Sequence, residues 1–205
     1  MRENLLGVVA GIFCIVALAT SSFLFLARSG WYEHLIVAST GIDLDNASEH
    51  KLTRRLVADY LFTDRVLAPE LFSERERLHM TDVKRIFREI ETVAFVAFAV
   101  FFLLTFVLRK SPRFVRAIYR ASVTSLIGIG VGSVVCLIFF DSIFTAMHRF
   151  LFANDFWLLD PATDRIIRAF PGEYFLTFTI GYGVILTALV ALLAFTANVK
   201  SKTTL

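Results

Sequence analysis

The chain has 205 residues, 57% of them hydrophobic and 19% charged, with a formal net charge of +3 and a mean hydropathy of +0.68. That much apolar surface excludes a single soluble domain of this size. The modest positive charge forms no basic stripe interleaved with aromatics outside the membrane flanks, which argues against a nucleic-acid partner.

A helix needs roughly 20 mostly apolar residues to cross the hydrocarbon. Four runs meet that length: Leu5–Ala27, Ile90–Leu108, Tyr119–Phe140 and Tyr174–Val199. The predicted fold is all-α, a polytopic membrane protein with four transmembrane helices forming a single integral domain over 1–205. Both termini then share one side. Small residues in "ALATSS" raise the alternative of a cleaved signal peptide, but the first apolar run exceeds the roughly 7–15 residues of such segments and is read as a retained span. Gly7 and Gly11, like Gly128 and Gly132, have the GxxxG spacing that lets membrane helices approach closely. Cys14 and Cys136 fall inside spans, with neither a disulfide framework nor metal-ligand spacing.

The short basic loop "RKSPRFVRAIYR" between the second and third spans contains no acid, and the tail carries Lys200 and Lys202. Both therefore belong in the cytoplasm. The first and third connections, 28–89 and 141–172, face outward as an extracellular helical cap and an extracellular loop. Whichever way the chain is oriented, these two connections share a compartment. All four His residues lie in them.

Within the cap, Leu52, Leu56 and Tyr60, with Val57 and Leu61, form an i, i+4 stripe that predicts an amphipathic helix. Pro69 interrupts it, and Ser73-Glu74-Arg75-Glu76 has capping-box spacing that predicts a further short helical turn. Val83, Ile86, Phe87 and Ile90 recur at helical period, so the second membrane helix is predicted to start near Thr81-Asp82, with Asp82 as its N-cap. His79 would sit just ahead of that N-terminus, where the helix dipole disfavours imidazolium. His148 has the opposite expected setting, near the C-terminus of a helix that continues through Ile143, Phe144, Met147 and Leu151. Two imidazoles pushed apart in this way suit a base and acid pair. A lone interfacial His is commonly a surface residue, and His34 and His50 are read so. Trp157 and the 22 Phe side chains are mostly explained by interface anchoring and lipid-facing packing, and plain turns around Pro161 are one reading of Asp160 and Asp164.

The stretches "ERERLHMTDVK" (Glu74–Lys84) and "MHRFLFANDFWLLDPATDRIIRAFPGEYF" (Met147–Phe175) resemble the bacterial family of lipoprotein intramolecular transacylases. Arg165 follows Asp164 where some relatives are expected to carry Pro, which bears on loop shape. The resemblance implies transfer of the sn-2 acyl chain of a diacylglyceryl-modified N-terminal Cys to that residue's own α-amine, at the outer face of the bacterial cell membrane. The partners it implies are a lipoprotein substrate and membrane lipid. No nucleotide cofactor is expected, because ester-to-amide transfer runs downhill, and no metal, because no metal-ligand signature is present. On that reading His79 is the general base, and His148 stabilises the oxyanion or protonates the departing glyceryl oxygen. The exchanged roles, or an acyl-imidazole on one His, are open alternatives. Asp82 would orient His79, Asp160 would position His148 or a loop backbone, and Phe150, Trp157 and Phe170 would line the lipid pocket. Two other classes compete: a non-catalytic membrane partner or chaperone, and a metal-dependent membrane hydrolase, for which no HExxH is present.

Overall fold

A computed structural model describes residues 2–42, 47–108 and 110–203. Eight helices follow one another among them: α1 (Arg2–Arg28), α2 (Gly30–Thr40), α3 (Ala47–Phe62), α4 (Glu74–Leu108), α5 (Pro112–Ile138), α6 (Phe140–Leu151), α7 (Arg165–Ala169) and α8 (Gly172–Thr203). Four of them, α1, α4, α5 and α8, are long and apolar enough to cross a membrane. The residues divide into two compact units. Unit 1 comprises Met1–Phe25, Ile90–Val135 and Gly181–Leu205, and unit 2 comprises Leu26–Glu89 and Cys136–Ile180.

Unit 1 is built from the apolar stretches of the four long helices. Its core is Ala10, Phe114, Val115, Ile118 and Ala197, with Leu104, Leu108 and Leu193 packed against it. Small residues set the spacing of α1 and α5. A Cβ added to Gly7 would meet the Ala117 Cβ at 2.6 Å, and one added to Gly11 would meet the Ala121 Cβ at 2.7 Å. The first GxxxG pair thus makes the close approach its spacing implies. The second does not: nothing lies within 4 Å of a Cβ built on Gly128 or Gly132, so that pair faces open space. Spacing alone does not say which face of a helix is occupied. Ser122, fully buried, returns its hydroxyl proton to the Ile118 carbonyl at 3.0 Å, the usual way a polar side chain is satisfied inside a membrane helix.

Unit 2 has its own core of Val57, Leu67, Phe72, Met80 and Ile166, joined by Leu56, Tyr60, Leu61 and Phe170. The amphipathic helix read from the sequence is α3. It buries Val57, half-buries Leu56, Tyr60 and Leu61, and leaves Leu52 48% exposed. The same helix buries Arg54, whose Nε donates to Glu33 Oε1 at 2.8 Å and whose Nη1 donates to the Ala169 carbonyl at 3.3 Å. Those bonds tie α3 to α2 and α7, two elements with no sequence signal strong enough to predict. Helix α2 ends at Gly41, whose φ of 68° is left-handed and whose N–H reaches the Val37 carbonyl.

The capping box at Ser73 is present, but it opens α4 itself rather than a separate turn. Ser73 N–H donates to Glu76 Oε2 at 2.7 Å, and Glu76 N–H donates back to Ser73 Oγ at 3.2 Å. The predicted start near Thr81-Asp82 is therefore corrected by two turns, and Asp82 lies inside the helix, not at its N-cap. Helix α6 is separate from α5: Phe139, at φ −118° and ψ 30°, breaks the ladder inside the run read as continuous.

Candidate active site

Every residue considered in this section belongs to unit 2. Helix α4 carries His79 in its second turn, among charged turns that precede the apolar stretch of the helix. Helix α6 carries His148 one turn from its end, where the His148 carbonyl accepts the Phe152 N–H at 2.9 Å. The two rings lie 6.2 Å apart between centroids, inclined by 34°. Phe152 stands against both, edge-on to His79 at 5.0 Å and tilted to His148 at 5.6 Å. Phe144 at 4.2 Å and Trp157 at 5.1 Å complete the wall around His148, and Phe175 extends it at 5.2 Å from Phe144.

Burial in this aromatic setting decides the charge of both imidazoles. It is the main cause that pushes His79 down from 6.5 to about 4; the neighbouring His148 adds to the fall and Asp82 opposes it. Burial also lowers His148, against the opposing effect of its bond to Phe144. The direction runs against the positive charge expected of His148 at a helix C-terminus. Desolvation by Phe144, Phe152 and Trp157 opposes the helix C-terminus, whose preference for cations amounts to roughly 0.3–1 kcal/mol at an exposed position. The reason given for a neutral His79 also changes, since α4 starts well before it. Burial thus favours the neutral form of both rings.

Neutrality makes the tautomers matter. His148 Nδ1 lies 2.8 Å from the Phe144 carbonyl oxygen. A carbonyl only accepts, so Nδ1 holds the hydrogen and Nε2 is left with a free lone pair. His79, 8% exposed, has its Nδ1 buried without a hydrogen-bond partner among the described residues. A buried unpaired polar atom beside a second imidazole is where a reacting group would complete the bonding.

The surrounding residues take the following places. Asp82 accepts a hydrogen bond from Asn154 Nδ2 at 2.9 Å and lies 3.5 Å from Arg85. It acts on His79 through its charge, while its hydrogen bond fixes the turn after α6; Asn154 Oδ1 in turn accepts the Phe156 N–H at 3.1 Å. Asp160 serves the loop backbone, accepting the Ala162 N–H at 2.9 Å, and is not bonded to His148. Trp157 is in the wall. Phe170 stands one layer back, 6.3 Å from Phe175 and packed on the unit core. Phe150 is 88% exposed, on a face of α6 away from His148. Phe144, Phe152, Asn154 and Phe175 join the site without having been expected there; the spacing of four through Phe140, Phe144, His148 and Phe152 is the available signal for Phe144 and Phe152.

The loop is held to α4 by two buried carboxylates. Glu76 Oε1 accepts the Ile166 N–H at 2.7 Å. Asp164 accepts the Ser73 hydroxyl at 2.8 Å and the Asp160 N–H at 2.8 Å. The same helix turn thus caps α4 and anchors the stretch that follows Trp157. Among the described residues no group of three or more His, Cys, Asp or Glu is arranged to hold a metal ion.

Four bilayer-length helices, no strand among the described residues, and two facing imidazoles in an aromatic wall define a polytopic α-helical membrane protein with a histidine-bearing polar site. The profile of the lipoprotein intramolecular transacylase family, Lit, matches residues 6–175, and the chain belongs to that family of membrane-integral acyltransferases. The in meso structure of lipoprotein intramolecular transacylase Lit from Bacillus cereus is similar over 98% of this chain and 97% of its own, at 21% identity and a TM-score of 0.85. Two forms of that protein with one His replaced, by Arg or by Ala, are similar at 21% and 22% identity, each with a TM-score of 0.81 over 98% of this chain and 93% and 94% of theirs. A search of curated protein sequences returned no match.

Proposed function

We propose that the protein moves the sn-2 acyl chain of a diacylglyceryl-modified N-terminal Cys onto the α-amino group of the same residue, producing a lyso-form lipoprotein. The observation that carries this reading is the facing pair His79 and His148, with the His148 tautomer set by the Phe144 carbonyl. The amine nitrogen attacks the ester carbon and its proton passes to His148 Nε2. The bond from the tetrahedral carbon to the glyceryl oxygen then breaks, and the same proton goes to that oxygen, so His148 ends as it began. Neutral His79 donates a hydrogen bond to the oxyanion, a role a neutral imidazole fills where its pKa is held low. This assigns the base to His148, the exchanged arrangement, because the free lone pair is there.

The α-amine, with a pKa of about 7.7–8.0, is partly neutral near pH 7 and needs only a modest base. Amine and ester belong to one molecule, and folding them together in a dry aromatic site supplies effective molarities of up to about 10⁵–10⁸ M. Phe144, Phe152, Trp157 and Phe175 favour the glycerol and acyl portions and exclude water, which would otherwise hydrolyse the ester. The basic, acid-free stretch 109–120 supports cytoplasmic termini in a bacterial cell membrane, and so an outward-facing site where the lipoprotein ester resides.

The test is mass spectrometry of a lipoprotein's N-terminal lipopeptide in cells that otherwise leave diacylglyceryl-Cys unacylated at the amine. Expression of the protein is expected to leave total mass unchanged while fragmentation moves one acyl chain to the α-amine. An unaltered N-terminus with protein present in the membrane overturns the reading.

A further inference from the structure

Unit 1 carries a polar cleft that the acyl-transfer reading leaves unused. Helix α5 begins at Pro112, and its first turns present Arg113, Arg116 and Arg120 at i, i+3 and i+7, three guanidiniums on one face within two turns. With Asn4 of α1 and Ala117 they line a cleft of about 240 Å³. Its floor is fixed, because Ala117 is buried where Gly7 leaves no room for a Cβ. Among the described residues no carboxylate lines the cleft: Glu3, next to Asn4, instead accepts the Ser111 hydroxyl at 3.1 Å.

Elsewhere in the chain Arg54, Arg65, Arg85, Arg165 and Arg168 each face a carboxylate. Among the described residues Arg113, Arg116 and Arg120 face none. Like charges one turn apart on a helix repel, and cations in the first turns oppose the positive end of its dipole. An anion in the cleft relieves both costs. A guanidinium offers a planar two-pronged donor that matches phosphate, and an end of a membrane helix is where lipid headgroups supply one.

We propose that Arg113, Arg116 and Arg120, with Asn4, bind the phosphate of an anionic phospholipid headgroup. A choline or ethanolamine headgroup would bring its ammonium against three guanidiniums, so the cleft selects for net negative charge. The proposal does not depend on the histidine chemistry of unit 2.

The full chain in neutral detergent, titrated with phosphatidylglycerol or phosphatidylcholine and read by native mass spectrometry, tests it. Phosphatidylglycerol is expected to be retained in preference, and its affinity to fall about fivefold for Arg116→Gln and about 25-fold for Arg116→Gln with Arg120→Gln, taking roughly 1 kcal/mol per cation. Acyl transfer on a lipopeptide in the same detergent is expected to be unchanged in both variants, which shows that they fold. Equal retention of the two lipids by the unsubstituted chain overturns the proposal, as does unaltered retention of phosphatidylglycerol by the double variant. Inorganic phosphate is the third probe: thermal stabilisation by it that the substitutions abolish, with phosphatidylglycerol no better, assigns the cleft to a soluble anion and overturns the lipid.

Discussion

His79 and His148 face one another at 6.2 Å, with Phe152 against both rings, although one is carried by the charged opening turns of α4 and the other by the last turns of α6. Neither ring is hydrogen-bonded to the other. Burial favours the neutral form of each, and the Phe144 carbonyl sets the hydrogen of the neutral His148 ring on Nδ1.

Replacing either His is expected to lower acyl transfer by about 10²–10⁴, the range for loss of a positioned proton carrier or donor. His148→Asn retains a polar side chain but no basic nitrogen and is expected to be as inactive as His148→Ala. His79→Gln, still a hydrogen-bond donor, is expected to keep more activity than His79→Ala. Single-turnover rates on a synthetic diacylglyceryl lipopeptide separate these cases. Equal activity of His148→Asn and the unsubstituted protein would show that His148 is not the base.

Acid is expected to act on both rate and stability. The base must be unprotonated, so transfer is expected to fall as pH drops through the lowered pKa of His148, below 6.5, and to rise towards the amine pKa of about 7.7–8.0. For folding, the unfolded chain binds a proton on His79 below about 6.5, while the native one resists until about 4. Stability contributed by neutral His79 is thus complete above 6.5 and is lost as pH falls to 4, about 3 kcal/mol in all. Thermal midpoints at several pH values, for the protein and for His79→Phe, check this: the variant is expected to show a shallower decline between pH 6.5 and 4.

Much of this arrangement is legible in the sequence, and the parts that are not have physical reasons. Four apolar runs of membrane length identify α1, α4, α5 and α8, and the Ser73–Glu76 box marks a real helix start. Thr81-Asp82 offers an equally good start two turns later; the Ile166 N–H on Glu76 and Asp164 on the Ser73 hydroxyl, both far along the chain, hold the earlier one. The sequence places His148 at a helix terminus, which is a local feature, whereas the desolvation that lowers its pKa comes from Phe144, Phe152 and Trp157 assembling in space. Arg54 on an amphipathic helix reads as solvent-facing, and its burial depends on Glu33 in α2, an element without a sequence signal.

Two buried carboxylates tie the loop after α6 to the start of α4, and their removal is expected to matter more for folding than for chemistry. Glu76→Ala leaves the Ser73 and Ile166 N–H groups without their partner and is expected to cost about 2–4 kcal/mol, with Ser73→Ala costing about 1 kcal/mol. Asn154→Ala, which breaks the bond to Asp82, is expected to cost about 1–2 kcal/mol and to lower turnover as the Trp157 loop loosens. Thermal unfolding in detergent, set beside turnover of the folded fraction, distinguishes the two kinds of effect. Reduced turnover at unchanged stability for Glu76→Ala would place that carboxylate in the chemistry.

The two GxxxG pairs offer the most direct check on the packing of unit 1, because the same substitution has opposite consequences. At Gly7 a methyl group would overlap the Ala117 Cβ at 2.6 Å and the Phe114 carbonyl oxygen at 2.9 Å, so α1 and α5 must separate. Gly7→Ala is expected to cost about 1–3 kcal/mol, as other overpacked contacts do, and Gly7→Leu more. At Gly128 a methyl group meets nothing within 4 Å and replaces a residue that favours helix poorly. Gly128→Ala is therefore expected to be neutral or to stabilise by up to about 1 kcal/mol. Loss of stability in Gly128→Ala that matches Gly7→Ala would mean that the face of α5 bearing Gly128 and Gly132 is occupied in the membrane, by a second copy or by another protein. A tolerant Gly128 beside a sensitive Gly7 would leave that face to lipid.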